Sequence, residues 1–367
     1  MPASRSFPVE IGLAASRTTT ARSRVNSAVS SPKDLVHVRR ALLRWYDKHH
    51  RRLPWRETRD PYRIWLSEIM LQQTRVAAVV DHYRIFLERF PTVRALASAS
   101  EDAVLAAWSG LGYYRRARML HQAARQIAKQ RDGCLPQNSE ALLALPGIGR
   151  YTAAAIASIA FAEPVAVVDG NVERVFERFI GINLTTGQIR QHAQALLANS
   201  RPGDFNQAMK ELGATVCVPR EPRCPICPVR KWCVTQRSTE RRASPPVRAT
   251  NRSRQVKKEI WCVLTERDGG IRLVQRPRKT SLMPGMWELP QSSEPPRPLP
   301  ASADWRTFRH SITVTDYTVH VVRNMPLRKT SFDPPPAAKG MWIAIDRIPQ
   351  IPITGLTRKI LKAGGII

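Results

Sequence analysis

Residues 145–171 read LPGIGRYTAAAIASIAFAEPVAVVDGN, and the rest of the chain can be organised around this stretch. A short turn, Leu145-Pro146-Gly147-Ile148-Gly149, runs directly into an alanine-rich segment of helical character from Arg150 to Ala162. Without a Cβ, Gly147 and Gly149 are free to take positive φ, so N–H groups at the start of the next helix can point outward at an anion such as a phosphate. The apolar run Val165–Val168 then delivers one carboxylate, Asp169, with Gly170 and Asn171 opening another helix. Taken alone, the same letters also suit a plain helix-helix turn with Asp169 as a helix N-cap.

Charge narrows the choice of partner. The 367 residues hold 58 Lys plus Arg against 29 Asp plus Glu, a formal charge of +29. Self-repulsion of that size destabilises a compact chain unless a polyanion screens it, so nucleic acid is the expected partner. No apolar run is long enough to span a membrane, and no membrane partner is expected. The chain is long enough for two domains, and 43% hydrophobic residues can build their cores. A monomer is expected, inside the cell, in the cytoplasm or at the nucleoid if the source is bacterial.

Residues 1–31 are rich in Ser, Thr, Ala and Arg, with Glu10 the only acid, and read as a disordered basic tail. Helical periodicity begins after Pro32. Leu35, Val38, Leu42, Trp45 and Tyr46 form one apolar stripe that should pack. Asp60-Pro61 is an N-cap followed by proline, opening a helix through Ile64, Trp65, Ile69 and Leu71. Further helices are predicted over 76–90, 101–108, 115–129, 139–145, 150–162, 172–181, 186–198 and 205–216, which makes 32–235 an all-helical domain. Residues 236–258 carry eight basic residues against one acid and read as an extended basic linker. Beyond it, 259–367 is predicted to be a small α+β domain. Its strands lie over 260–265, 271–275, 317–323 and 341–345, with a hairpin turn at Asp268-Gly269-Gly270 and a final helix over 356–362.

Cys217, Cys224, Cys227 and Cys233 give C-x6-C-x2-C-x5-C in a proline-rich loop. Four thiols so close in sequence point to a metal centre, and structural zinc and an iron–sulfur cluster share this ligand chemistry. Arg220, Arg223, Arg230 and Lys231 make the loop cationic whichever metal it holds. Cys134 and Cys262 lie outside the pattern.

The glycine turn, the aspartate after an apolar run and the cysteine spacing, in this order, resemble the helix-hairpin-helix base-excision glycosylases of the endonuclease III superfamily. The likeness runs from about Leu35 to Cys233. Within that superfamily, Leu53-Pro54-Trp55-Arg56, the run Trp65–Thr74 (WLSEIMLQQT), Gly110-Leu111-Gly112-Tyr113-Tyr114 and Val168-Asp169-Gly170-Asn171-Val172 look like the adenine DNA glycosylases, which remove adenine mispaired with 8-oxoguanine. Residues 260–275 and the run Met283–Pro290 (MPGMWELP) are similar to the Nudix-like domain with which that family reads the oxidised guanine. The resemblance implies a mainly α helix-hairpin-helix glycosylase domain with an iron–sulfur cluster loop over 217–233, followed by a smaller α+β Nudix-like domain. It further implies one [4Fe-4S] cluster on Cys217, Cys224, Cys227 and Cys233, and a partner in double-stranded DNA bearing A:8-oxoG or A:G mispairs.

Chemistry assigns the roles within that likeness. Adenine is a poor anionic leaving group and the sugar left behind is cation-like, so an acid and an anion are both useful. Glu68, set among Ile64, Trp65, Ile69 and Leu71, could have its pKa raised by desolvation and hold a proton for adenine N7; in isolation it reads more readily as a partly exposed helix residue, and its place in LSEIMLQQT reverses that. Asp169, beside Asn171 at a helix N-terminus, would stay ionised and stabilise the cation-like sugar, electrostatically or by transient covalent attachment. Tyr151 stands where strand-cutting members carry a lysine. A phenol forms no Schiff base, so a monofunctional glycosylase is implied, with Tyr151 orienting Asp169 or an intermediate, or simply packing.

Gln72 and Tyr113 match residues that enter the duplex around the orphaned guanine, and Gly147 and Gly149 match the backbone phosphate clamp. Trp55, Arg56, Leu71, Val76 and Gln207 match positions lining the adenine pocket, although Trp55 and Leu71 also read as core. The family's Phe-Ser-His loop is absent. Here Phe308-Arg309-His310-Ser311 is followed by Ile312-Thr313-Val314, and only Thr313 keeps a hydroxyl for the oxidised base. No paired glutamates follow Leu289-Pro290, so nucleotide hydrolysis is not expected.

Overall fold

The computed structural model describes residues 32–237, 255–295, 304–312, 314–323 and 340–367. The basic tail at 1–31, most of the linker and Thr313 lie outside these described residues. In chain order the helices are α1 (Pro32–His49), α2 (Pro61–Leu71), α3 (Val76–Arg89), α4 (Val93–Ser98), α5 (Glu101–Trp108), α6 (Arg115–Arg131), α7 (Ser139–Leu143) and α8 (Arg150–Phe161). They continue with α9 (Gly170–Ile180), α10 (Thr186–Leu196), α11 (Pro202–Thr215) and α12 (Val234–Arg237). Strands β1 (Val256–Leu264), β2 (Glu266–Arg267), β3 (Gly270–Gln275), β4 (Trp287–Glu288), β5 (Gln291–Ser292), β6 (Asp304–Ile312), β7 (Thr315–Arg323) and β8 (Gly340–Ala344) precede α13 (Gly355–Ala363). None of the described helices is long and apolar enough to cross a membrane.

Contacts divide the chain into two compact units, Met1–Arg51 with Pro164–Val247 and Arg52–Glu163 with Arg248–Ile367. In the first, α9 buries Val172, Val175, Phe176, Phe179 and Ile180, a spacing that keeps one face inward over three turns. Against it pack Val38, Leu42 and Tyr46 of the predicted α1 stripe, with Leu35 and Trp45 at its margin. Phe205, Met209 and Leu212 of α11 and Trp232 of the cysteine loop complete this core.

In the second unit α2 is buried on nearly every face, from Tyr62 through Met70. Asp60 caps it by accepting from the Arg63 amide at 3.0 Å, with Pro61 at the first helical position. Helix α8, equally buried from Thr152 to Ile159, packs against α2. Its small alanines permit that close approach. Sequence reading missed α4, a six-residue helix capped by Thr92. It also placed the start of α11 late. Pro202 is the first residue of that helix, where proline has no N–H to leave unpaired.

The strands form two four-stranded sheets, β5-β1-β7-β6 and β2-β3-β4 with β8 on the other side of β3. Strand β1 runs parallel to β7 from Val256↔Thr315 to Leu264↔Arg323. It starts four residues before the predicted Ile260, because its exposed first residues, Val256 to Glu259, are held by backbone pairing and show no apolar alternation. The turn at Asp268-Gly269 forms as predicted, with φ of 49° and 72° that suit a tight hairpin. It joins β2 to β3, however, and not β1 to β3. The predicted pairing therefore changes: the chain leaves one sheet at Thr265 and enters the other. Strand β6 was unforeseen, its polar sequence being that of an edge strand, which among the described residues pairs only with β7. Leu356, Ile360 and Leu361 of α13 share a core with Cys262, Leu273, Val319 and Val321.

Within the same unit the sheets are tied to the helices. The Ser109 hydroxyl donates to the Ile353 carbonyl at 3.0 Å and accepts from Arg358 Nε at 3.0 Å. Arg118 Nη2 donates to the Pro284 carbonyl at 2.6 Å.

Candidate active site

Glu68 lies one turn before the end of α2 and is only 4% exposed. The Tyr151 hydroxyl, from the first turn of α8, donates to Glu68 Oε2 at 2.6 Å. A buried carboxyl group and a partly exposed phenol are thereby held together by the packing of α2 on α8. Glu68 is accordingly not the partly exposed helix residue that its letters allow in isolation.

Asp169 belongs to the other unit, where it is the N-cap of α9: Oδ1 accepts from the amides of Asn171 at 2.9 Å and Val172 at 2.8 Å. The second oxygen, Oδ2, faces a different partner, the Asn171 side-chain amide at 3.4 Å. The extended segment before Asp169 has no strand neighbour. Instead Asn206 accepts from the Val167 amide at 3.0 Å and donates to the Val165 carbonyl at 2.8 Å. Gln194 does the same for the Ala166 amide at 2.9 Å and the Pro164 carbonyl at 2.7 Å. Two side-chain amides thus replace a β-ladder and fix where the aspartate emerges.

From Asn171 the network continues into the cysteine loop. Arg174 Nη2 donates to Asn171 Oδ1 at 2.8 Å and to the Gly213 carbonyl at 2.7 Å, while its Nε donates to the Cys217 carbonyl at 2.9 Å. Arg178, 5% exposed, donates to the carbonyls of Val218 at 2.7 Å and Pro219 at 2.8 Å. Sequence reading missed Arg174, Arg178, Asn206 and Gln194. Arginines four and eight residues beyond the start of a helix look like ordinary surface charge.

Gln72 is the C-cap of α2 and its side-chain amide reaches Thr152 Oγ1 at 3.3 Å. Tyr113 is 54% exposed on the loop between α5 and α6, with φ of 47°. Gln72, Tyr113 and Gly147 line one cavity of about 350 Å³ with Trp65, Arg116 and Met119, so three of the predicted DNA-contacting residues come together. Gly147 has φ of 76°, and a Cβ there would stand 2.6 Å from Met119 Cβ. Gly149 departs from expectation: it is the extended N-cap of α8, with φ of −90° and open space where a Cβ would be. Only Gly147 needs the left-handed region. No side chain caps α8, which leaves the N-terminal amides to other partners.

Of the expected pocket residues, Trp55 is buried with its ring edge-on to Tyr83 at 5.4 Å, as a core residue would be. Arg56, Leu71 and Val76 are partly buried in the same unit. Gln207 is buried on α11 in the other.

Cys217, Cys227 and Cys233 pack at the edge of the first unit's core. None of the four predicted ligands is paired in a disulfide, and no three His, Cys, Asp or Glu side chains among the described residues are grouped as single-ion ligands. Burial pushes the Cys227 thiol up to about 12, and the charges of Cys217, Cys233 and Cys224 push the same way. Burial raises Cys233 also, with Cys217 and Cys224 adding to it. Four sulfurs within electrostatic reach of one another fit a group that brings positive charge to their centre. As a donor set they suit a thiolate-bound cluster, with Arg178 Nη1 already 3.5 Å from Cys217 Sγ. Cys134 is exposed and Cys262 buried, both apart from this set.

Residues 66–199 match the HhH-GPD superfamily of base excision DNA repair proteins. The adenine DNA glycosylase of Mycobacterium tuberculosis (strain CDC 1551 / Oshkosh) is 42% identical over 248 residues, 65% of this chain and 81% of that protein. That of Rattus norvegicus is 49% identical over 215 residues, 54% of this chain, and that of Arabidopsis thaliana is 37% identical over 330 residues, 77% of this chain. The match spans about half the length of these two relatives, 42% and 51% respectively. A thermostable thymine-DNA glycosylase of known structure is 30% identical, with a TM-score of 0.52 over 56% of this chain and 97% of that one.

Proposed function

Because the chain belongs to the adenine DNA glycosylase family, we propose that it hydrolyses the N-glycosidic bond of adenine standing opposite 8-oxoguanine or guanine in duplex DNA. The observation that carries this reading is the 2.6 Å bond between the Tyr151 hydroxyl and the buried Glu68 carboxyl group. Glu68 gives its proton to adenine N7, so the C1′–N9 bonding electrons leave with a neutral base. Asp169, ordered by Asn171, balances the positive charge left on the sugar. Water adds at C1′ and releases a proton, leaving free adenine and an abasic site. Tyr151 orients Glu68 and offers no amine, so the strand stays intact and the enzyme is monofunctional.

Cys217, Cys224, Cys227 and Cys233 would hold one [4Fe-4S] cluster. When bound, it would tie the loop bearing Arg220, Arg223, Arg230 and Lys231 into a cationic surface for the DNA backbone. The strand-rich part of the chain serves as a Nudix-like reader of the oxidised guanine, with Thr313 its hydroxyl donor. Duplex DNA is the partner, met inside the cell by a monomer.

An end-labelled duplex with adenine opposite 8-oxoguanine or guanine tests this. Strand cleavage only after alkali is expected, whereas cleavage without alkali would assign a lyase. Glu68→Gln is expected to abolish excision and keep duplex binding. If binding is lost as well, Glu68 is not the acid.

A further inference from the structure

Arg116, on the first turn of α6, makes an unusual set of contacts. Nη1 donates to the carbonyls of Ile69 and Met70, each at 2.9 Å, and also to that of Gln72. Nη2 donates to Thr74 Oγ1 at 3.0 Å and to the Leu111 and Gly112 carbonyls, each at 3.3 Å. Its guanidinium carbon lies 5.5 Å from the Trp108 ring and 5.4 Å from the Tyr113 ring. One planar fork therefore closes the C-terminal end of α2 and grips the loop between α5 and α6.

Those two segments share a further property. Gln73, next to Gln72, has φ of 55°, and Tyr113 has φ of 47°. Side chains other than glycine occupy that region only where surrounding contacts over-determine it. The Ile69 carbonyl also accepts from the Gln72 amide at 3.4 Å, the Gln72 carbonyl from Thr74 Oγ1 at 3.2 Å and the Gly112 carbonyl from Trp108 Nε1 at 3.1 Å, so Arg116 joins two segments that each make bonds of their own. Burial lowers the Arg116 pKa to about 10, which leaves it charged at neutral pH.

We infer that Arg116 is a positioning residue that fixes Gln72 and Tyr113 relative to one another, so that both enter the duplex as one wedge beside the extruded adenine. The inference rests on the proposed glycosylase reading, in which those two side chains support the orphaned base. Lysine keeps the charge but has a point donor where arginine has a fork.

The test compares Arg116→Lys with the unaltered protein on two duplexes, adenine opposite guanine and adenine opposite a tetrahydrofuran abasic analogue. The second duplex has no orphan base to support. Single-turnover excision opposite guanine is expected to slow on the order of tenfold, the effect of losing one charge-assisted hydrogen bond. Excision opposite the abasic analogue should slow by less than about threefold. The fluorescence rise of 2-aminopurine placed beside the mispair should shrink on binding. Thr74→Val, which removes one anchor of the fork outside the core, should act in the same direction more weakly. Equal slowing on both duplexes, or none on either, overturns the inference and leaves Arg116 a general structural residue. If the unaltered protein excises adenine from neither duplex, the glycosylase reading fails, and the fluorescence comparison alone decides the wedge.

Discussion

The Tyr151 hydroxyl stands 2.6 Å from Glu68 Oε2, joining the first turn of α8 to the last turn of α2. A phenol at that distance orders a carboxyl group without competing for its chemistry. Tyr151→Phe keeps the ring and its packing and removes only the donor. Excision under single-turnover conditions should fall about tenfold, the effect of one hydrogen bond to a charged or reacting group, with duplex affinity unchanged. An unchanged rate would reduce Tyr151 to packing.

Arg174 connects the Asn171 side chain to the Cys217 carbonyl through a single guanidinium. Asn171 in turn faces Asp169 Oδ2 at 3.4 Å. Replacing Arg174 with Gln removes four charge-assisted bonds, to Asn171 Oδ1 and to the Gly213, Cys217 and Gly170 carbonyls, each worth about 1.5–3 kcal/mol in a mutational series. Both ends of the link should respond. Excision is expected to drop at least about tenfold, and iron content per chain, read from thiolate-to-iron absorbance, should fall with it. Full iron content with slowed excision would limit the link to Asn171. Normal excision and iron content would show that the link carries nothing.

The elements legible in the sequence were those written in local pattern. The α1 stripe, the Asp60-Pro61 cap and the Asp268-Gly269 turn each need only a few neighbouring letters. Glu68 and Asp169 were found through motif resemblance, and local composition alone left Glu68 an ordinary helix residue. What holds them was illegible. Arg116 bonds carbonyls more than forty positions earlier in the chain, and Asn206 pairs with backbone some forty positions earlier. An arginine that satisfies carbonyls looks the same in sequence as one that faces solvent, because the difference is created by tertiary burial. The sheet crossing at Thr265 was hidden for a related reason. Period-2 alternation reports that a strand exists, while its partner depends on contacts with residues nearly sixty positions later.

Gly147 and Gly149, two residues apart in the hairpin, should behave oppositely when each is given a methyl group. Gly147→Ala forces a left-handed φ of 76° on alanine and drives its Cβ to 2.6 Å from Met119 Cβ. Relief needs movement of α6 or of the turn, so stability should fall by about 1–3 kcal/mol, read as a lower denaturant midpoint. Gly149 has an ordinary extended φ of −90° and nothing within 4 Å of a built Cβ. Gly149→Ala should therefore leave the midpoint in place, or raise it by up to about 1 kcal/mol as the unfolded chain loses freedom. If a DNA phosphate is held against the uncapped amides of α8, however, the same methyl group crowds it. Affinity for any duplex, damaged or not, should then drop several-fold at fixed salt, because backbone contacts carry no sequence information. A folded Gly149→Ala protein that binds duplex as well as the parent would remove the phosphate from this hairpin.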